Sequence, residues 1–291
     1  MGRIKDRNFF SSKVSEWSDE QKLIEEWVAF KNASGDHRFL LDSGLTWELY
    51  WIKRKSMARV GDNIEAGNAS WSFGGDTANS FDDHVSKSVP LYEQGHEIVC
   101  GLSDFFVGQG GLCYEVGCST GALISKLARR HEGKPSRFVG FDVVPEMVDY
   151  AKSNRPAENI EYVCEDVLDI DLEPCDMVVC YYVVQFVSPK VRQLLIDKIF
   201  KALNWGGAFV CFEKVRAADA RFQDISTTLY HDYKGDCGYS PDEILGKAKS
   251  LKGVLEPFST TGNIEQMQRA GFKDIMSIMK YICFEGFVAI K

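Results

Sequence analysis

The sequence has 291 residues, of which 45% are apolar and 26% are charged, as expected for a globular protein with a sizeable core. No apolar run reaches the roughly 20 residues that span a bilayer, and the opening MGRIKDRNFF lacks the apolar stretch of a signal peptide, so a cytoplasmic protein without membrane contact is predicted. The formal net charge of -8 disfavours a nucleic-acid partner, because phosphate binding calls for a basic surface.

Residues 1–70 are predicted to form an N-terminal helical extension. Helical periodicity marks SDEQKLIEEWVAF, which follows a possible N-cap at Ser18, and LTWELYWIKRKSMARVG. The turn-rich stretch GNASWSFGGD then sets the boundary with a second domain over residues 71–291. Two roles stay open for the aromatic residues of the extension, which can pack on the main domain or a dimer partner, or form a lid over a pocket: Trp17, Trp27, Trp47 and Trp51.

Short β-type runs alternate with helical patterns from about residue 111 onward. The five runs are GLCYEV, RFVGFD, IEYVCED, DMVVCYYVV and AFVCFEK, and a helical pattern follows most of them, including SPKVRQLLIDKIFKALN up to Gly206. This alternation predicts a parallel sheet with helices on both faces. A helix in GNIEQMQRAGF and two final strands, DIMSIMKYICF and EGFVAIK, complete the chain. The prediction is a Rossmann-like α/β fold with a seven-stranded, mostly parallel sheet and an antiparallel last strand, the layout of class I methyltransferases.

The nine cysteines are scattered, and several lie inside apolar runs such as DMVVC and AFVCF. None forms a C-x-x-C pair, so the spacing predicts no metal site. Thiols in such runs are typical of reduced core residues.

The loop after the first of these strands reads E-x-G-x-x-x-G, from Glu115 to Gly121. A dinucleotide-binding loop has a middle glycine that lets the backbone approach a pyrophosphate, but Cys118 and Ser119 stand in that region here. The spacing resembles motif I of S-adenosylmethionine (SAM) enzymes, in which the acidic residue and the loop backbone serve the methionine end. The resulting candidates for cofactor binding are Glu115, Gly117, Cys118, Ser119 and Gly121, and the alternative is a structural turn into a helix.

Two further acids follow the next two strands. Asp142 ends RFVGFD, where a carboxylate can accept hydrogen bonds from both ribose hydroxyls, although it can also cap the helix that follows. Asp166 follows the third strand, where it can accept from the adenine amino group while Val167 packs on the ring; a solvated turn is the alternative. Three strand-end acids in this order predict SAM as the cofactor.

Residues from about 71 to 291 resemble the bacterial carboxy-SAM synthase family, which acts in tRNA wobble-uridine modification. The resemblance rests on WSF, SVPLY, YEVGCSTGA, FDVVPEM, EDVLDI, MVVCYYVVQFV, LLIDKIFKALNWGGAFV, EK, HDYK, GYS and AGF. It implies the class I methyltransferase fold, a homodimer, and a set of cofactor contacts: Tyr92, Gly117 to Ser119, Asp142 with Val143, and Asp166 with Val167.

Two positions depart from that family. Tyr181, a further cofactor-binding candidate, stands where the family has an asparagine just after the fourth strand, and Ala248 stands where the family has an arginine that pairs with the extra carboxylate of its product. Lys247 and Lys249 flank Ala248, but neighbouring helix positions point about 100° away. The departures favour a relative that keeps SAM without making the carboxylated cofactor.

The predicted function is therefore a SAM-dependent methyltransferase acting on a small molecule. Its candidate catalytic residues are His231, as a base or acceptor-binding group, with Tyr181 and Glu213 at the ends of strands four and five. A structural histidine and an ion pair between Glu213 and Lys214 are the alternatives. A carboxy-SAM synthase that uses prephenate and a non-catalytic SAM-binding scaffold stay open as alternative functions.

The strand ends also disfavour base-modifying enzymes. Enzymes that methylate amino groups of DNA carry a Pro-Pro-aromatic segment after strand four, whereas this chain has Cys180-Tyr181-Tyr182-Val183. Cytosine C5 enzymes use a Pro-Cys nucleophile, but Pro174-Cys175 precedes strand four. The sequence therefore predicts that the methyl acceptor is a small molecule.

Overall fold

A computed structural model describes residues 58–61, 65–74 and 77–291. Contacts divide the chain into residues 1–57 and 58–291, and the second unit is described below. The predicted extension helices and their tryptophans lie outside the described residues.

Residues 58–71 belong to the second unit. A two-stranded hairpin of β1 (Ala58–Arg59) and β2 (Glu65–Ala66) stands where the second extension helix was predicted to end, so that part of the helix prediction is wrong. Val60, Ala66 and Trp71 are buried in a small cluster with Leu251 and Val254. Because these residues are buried against the second unit, the boundary between the two units falls after residue 57 and not at the predicted residue 70.

The main sheet has seven strands: β3 (Leu112–Val116), β4 (Arg137–Asp142), β5 (Ile160–Cys164), β6 (Cys175–Tyr181), β7 (Leu203–Lys214), β8 (Asp274–Tyr281) and β9 (Phe284–Ile290). Their order is β5-β4-β3-β6-β7-β9-β8. Strands β3 to β7 are parallel, and β9 runs antiparallel to both β7 and β8. The predicted seven-stranded fold with an antiparallel last strand is confirmed. The strand order reverses between β3 and β6, and open α/β sheets bind ligands at such a point.

Eight helices are described: α1 (Thr77–Ser88), α2 (Tyr92–Phe106), α3 (Ala122–Arg130), α4 (Pro145–Asn154), α5 (Pro189–Ala202), α6 (Ala220–Asp236), α7 (Pro241–Ser250) and α8 (Thr260–Ala270). Helix α5 ends at Ala202, earlier than the predicted end near Gly206, because Leu203 already pairs with Cys175 in the sheet. None of these described helices is long and apolar enough to cross a membrane.

Alternate strand residues supply two hydrophobic cores, one on each face of the sheet. Cys113 of β3 packs with α2 and α3, whereas Leu112 and Tyr114 pack with α5 and α8. This alternation is the period of two that a strand imposes on its side chains. The nine cysteines are unpaired, and most are buried in these cores.

Candidate functional site

A cavity of about 660 Å³ lies at the carboxyl ends of β3 to β6, and α1, α6 and α7 complete its wall. Its position is the one expected for a ligand site in a parallel α/β sheet, and its volume is in the range of small-molecule sites. Among the predicted residues, the structure brings ten cofactor candidates and His231 to this cavity: Tyr92, Glu115, Gly117, Cys118, Ser119, Asp142, Val143, Asp166, Val167 and Tyr181.

Glu115 is the last but one residue of β3, and its side chain is 3% exposed. Its Oε2 atom lines a buried part of the site without a hydrogen-bond partner among the described residues. Burial raises the pKa of this carboxyl group well above its usual range. An unsatisfied buried carboxyl oxygen is costly, so this position suits a ligand that brings its own donor, such as an ammonium group.

The loop that follows β3 has glycines at two of its three positive-φ positions, and Ser119 occupies the third. Gly117 has φ +69°, and a Cβ atom there would lie 2.4 Å from Cγ2 of Val183, so only glycine fits. Gly121 has φ +78° and is the N-cap of α3, and a Cβ atom there would lie 2.8 Å from Oη of Tyr162. Gly121 does not line the cavity, so its predicted role in cofactor binding is limited to shaping the loop.

Asp142 links this loop to the end of β4. Its Oδ2 atom accepts a hydrogen bond from the backbone N–H of Ser119 at 2.8 Å, and Oδ1 accepts from the N–H of Val144 at 2.9 Å. A carboxylate oxygen can accept two hydrogen bonds, so each oxygen keeps one free position. The same residue can therefore fix the loop and accept from two neighbouring hydroxyl groups. The alternative that it caps the following helix is wrong, because the N-cap of α4 is Val144 and receives no side-chain cap.

Asp166 and Val167 form the next part of the wall, after β5. The Oδ1 atom of exposed Asp166 accepts from the N–H of Leu168 at 2.9 Å, which fixes the turn. Val167 is buried and lines the cavity as an apolar surface. An exposed carboxylate beside an apolar face is the arrangement that the adenine interpretation requires.

Three tyrosines meet between α2 and the end of β6. The hydroxyl group of Tyr181 donates to the backbone carbonyl of Tyr92 at 2.6 Å, and their rings lie 5.2 Å apart. Burial raises the pKa of Tyr181, so its hydroxyl stays protonated and cannot serve as a base. We infer that Tyr181 shapes the cavity wall and holds Tyr92 rather than moving a proton. Its ring has space because residue 95 is glycine: a Cβ atom there would lie 2.0 Å from Oη of Tyr181.

Glu213 does not line the cavity, although it was a catalytic candidate. The side chain is 2% exposed, and Oε1 accepts from the backbone N–H of Val184 at 2.9 Å. Burial raises its pKa to about 8. Strand alternation sends Glu213 to the opposite side from Lys214, so the predicted pair between them is also absent, and Glu213 supports the segment after β6.

We expect Glu213→Ala to lower the free energy of unfolding by about 2 kcal/mol, because it leaves the buried N–H of Val184 without an acceptor. Glu213→Gln retains an acceptor and is expected to keep most of that stability. The folded-state pKa of about 8 exceeds the usual 4.5, so the stability that wild-type Glu213 contributes falls as pH rises through this window. Urea unfolding from pH 5 to 9 tests this, because Glu213→Gln should remove the slope. A loss of turnover by about 100-fold in well-folded Glu213→Gln would instead support a catalytic role.

His231 lines the cavity from α6. Two lysines near it were not among the candidates predicted from the sequence. Lys234 follows three positions later on the same helix face, and Lys214 ends β7. Although His231 is largely exposed, desolvation by its surroundings and the charges of Lys234 and Lys214 lower its pKa, which favours the neutral imidazole at neutral pH. A lysine at the carboxyl end of a strand is the sequence signal that could have identified Lys214.

Ala248 also lines the cavity, beside Lys247. The Nζ atom of Lys247 lies 3.1 Å from Nε2 of His84, and its ammonium group lies over the ring of Trp71. Lys247 thus faces the cavity while it is held by side chains of the wall.

The fold and the cavity define a SAM-dependent enzyme of the methyltransferase class. Residues 114–207 match the family model described as a methyltransferase domain. The fold is similar to human N-acetylserotonin methyltransferase in complex with SAM, with a TM-score of 0.51 and 17% identity over 74% of this chain and 54% of that one. It is also similar to an O-methyltransferase family protein from Burkholderia thailandensis, with a TM-score of 0.53 and 14% identity over 74% of this chain and 59% of that one.

Curated relatives give the narrower assignment. The carboxy-S-adenosyl-L-methionine synthase of Staphylococcus epidermidis is 33% identical over 225 residues, which cover 76% of this chain and 97% of that protein. The protein of the same name from Campylobacter jejuni is 36% identical over 225 residues, or 76% of this chain and 94% of that protein. The chain belongs to the carboxy-SAM synthase family, as the sequence motifs predicted.

Proposed function

We propose that the protein transfers the methyl group of SAM to a small-molecule acceptor bound in the same cavity. The observation that carries this proposal is the continuity of one cavity from the cofactor candidates on β3 to β5 to His231 on α6. Bound SAM supplies an electrophilic methyl group on its sulfonium. The protein's part in such a displacement is to align the two reactants and to keep water away from them.

The unpartnered Oε2 of Glu115 fits the amino group of the methionine moiety, which brings a positive donor. Asp142 has free acceptor positions for the two ribose hydroxyls, and Asp166 with Val167 suits the adenine. Neutral His231 is the group that can take a proton from an acceptor that must lose one. The acidic part of the cavity wall suits the positively charged SAM rather than nucleic acid, which supports a small substrate. A cytoplasmic location stays a prediction from the sequence. The family resemblance also supports a homodimer as the oligomeric state, which sedimentation analysis of the protein can test.

A second candidate is synthesis of carboxy-SAM from SAM and prephenate, favoured by relatives of that name at 33% and 36% identity over nearly their whole length. Ala248 weighs against it, because alanine cannot provide the bidentate pair that an arginine gives to a carboxylate. Lys247 would supply a positive charge for that carboxylate only if its ammonium group left Nε2 of His84.

The first test is denaturing mass spectrometry of the small molecule that copurifies with the protein. We expect SAM or S-adenosylhomocysteine, and a carboxylated SAM would favour the second candidate. If nothing copurifies, the protein is titrated with SAM, and failure to bind would overturn both proposals. Incubation with labelled SAM, with and without prephenate, then separates methyl transfer from carboxy-SAM formation. If the protein binds SAM but methylates none of a broad set of acceptors, the alternative of a non-catalytic SAM-binding scaffold would be favoured.

A further inference from the structure

Helix α1 forms part of the cavity wall, and the proposed function gives this helix no role. Its residues that line the cavity recur every three or four positions and so share one face of the helix: Phe81, His84, Val85 and Ser88. The contacts that hold α1 in place therefore decide how easily this side of the cavity opens to solvent.

Half-way along α1, Asp82 joins the helix to the loop that follows β3. Its Oδ1 atom accepts a hydrogen bond from Oγ1 of Thr120 at 2.6 Å, and Oδ2 accepts from Nη2 of Arg155 at 2.5 Å. Nη1 of Arg155 also donates to the backbone carbonyl of Thr120 at 2.5 Å. These three residues form a closed ring of hydrogen bonds, which we call the α1 clasp. Because Arg155 directly follows α4, the clasp joins α1, the loop and the end of α4.

The clasp acts on a loop whose backbone needs support. Ser119 has φ +50°, a conformation that residues other than glycine keep only when their surroundings hold them. Asp142 holds the N–H of Ser119, and the clasp holds the side chain and the carbonyl of the next residue, Thr120, which is 1% exposed. Hydrogen bonds to a carboxylate or from a guanidinium are stronger than those between neutral groups. The clasp therefore fixes the loop from the side opposite Asp142.

The C-terminal end of α1 is bound to the other wall of the cavity. Oη of Tyr230, on α6, donates to the backbone carbonyl of Ser88 at 2.8 Å. The Oγ atom of Ser88 lies 3.2 Å from Oη of Tyr239, which shortly precedes α7. Helix α1 thus connects the loop that follows β3 with the wall formed by α6 and α7.

We propose that Asp82 is a positioning residue, which holds α1 and the loop after β3 against the bound cofactor and so sets the rate at which the cofactor leaves. Asp82 does not itself line the cavity and acts through Thr120, which does. The inference rests on the proposed function for the placement of SAM in this cavity. It adds a residue that controls cofactor exchange without touching the reacting atoms.

The test measures the dissociation of labelled S-adenosylhomocysteine from the full-length protein after a chase with unlabelled compound. We expect Asp82→Asn to speed dissociation by about 10-fold, because an amide NH₂ group then replaces one of the two acceptor oxygens of the clasp. Asp83→Asn, at the exposed neighbouring position of the same helix, is the matched control and should leave the rate within about twofold.

Two substitutions at Thr120 separate the hydrogen bond from the packing of this buried side chain. Thr120→Val removes the hydroxyl group and should also speed dissociation by about 10-fold, whereas Thr120→Ser retains it and should keep the rate near that of the wild type. Combining Asp82→Asn with Thr120→Val should add less than about threefold to the faster single variant, because both act on one hydrogen bond. If Asp82→Asn does not fold, the two Thr120 variants decide alone.

The thermal midpoint without ligand distinguishes this role from a purely structural one. Asp82→Asn should lower it by no more than about 3 °C, because the ion pair with Arg155 is partly exposed to solvent. A lowered midpoint with a dissociation rate within about twofold of the wild type, equal rates in Thr120→Val and Thr120→Ser, or multiplicative effects in the double variant would overturn the inference alone. If the wild-type protein does not bind S-adenosylhomocysteine, the proposed function fails and the inference fails with it.

Discussion

Replacing Asp142 with asparagine is expected to weaken SAM binding by about 100-fold. Two charge-assisted hydrogen bonds to the ribose, at about 1.5 kcal/mol each, account for a loss of about 3 kcal/mol. Asparagine has one acceptor oxygen in place of two, and Asp142 already uses both of its oxygens to hold Ser119 and Val144. The substitution therefore removes ligand acceptors and also loosens the loop that the methionine end requires.

Titration calorimetry with SAM measures this effect, and Asp171→Asn is the matched control. Asp171 is an exposed carboxylate after the next strand and does not line the cavity, so its substitution should leave the dissociation constant unchanged. Thermal unfolding of both variants without SAM shows whether the fold is retained. A dissociation constant for folded Asp142→Asn within about threefold of wild type would contradict the ribose assignment.

Gly95→Ala is expected to lower the free energy of unfolding by about 2–3 kcal/mol, although alanine normally stabilises a helix. The new Cβ atom would lie 2.0 Å from Oη of Tyr181 and 3.2 Å from Cε1 of Phe212. Tyr181 cannot turn away easily, because its hydroxyl is bound to the carbonyl of Tyr92 on the same helix. Gly101→Ala is the control, since a Cβ atom there meets nothing within 4 Å, and it should stabilise by up to about 1 kcal/mol.

A double-mutant cycle tests whether Gly95 and Tyr181 depend on each other. Tyr181→Asn introduces the residue type that the family motif has at this position and removes the obstructing ring. In that background, Gly95→Ala should become neutral or stabilising, which gives a coupling energy of about 2–3 kcal/mol in urea unfolding. Additive effects would show that the two residues are independent and that Tyr181 moves at little cost.

Tyr181 and Ala248 are the two positions at which the chain departs from the family motifs. If the family motifs align as the resemblance implies, a tyrosine in place of asparagine fills space beside Tyr92, and alanine at residue 248 lacks the fixed positive fork of an arginine. The cations that line the cavity are Arg216 and four lysines: Lys214, Lys234, Lys247 and Lys252.

The sequence by itself determined the fold and one part of the cavity wall. Apolar runs of strand length alternating with helical patterns led to the seven-stranded sheet, because strand and helix periods are local properties of the chain. Acidic residues at three successive strand ends also sufficed to assign Glu115, Asp142 and Asp166 to one cavity, because parallel strands end at the same edge.

Only the tertiary structure shows which residues form the opposite wall of the cavity. Glu213 and Lys214 are neighbours in sequence, yet strand alternation places one under the segment after β6 and the other in the cavity. Gly95 accommodates Tyr181 across 86 positions of sequence. The paired strands β1 and β2 replace a predicted helix end, because Val60 and Ala66 pack near Leu251. Such contacts join distant parts of the chain, and their energy depends on packing that local residue patterns do not encode.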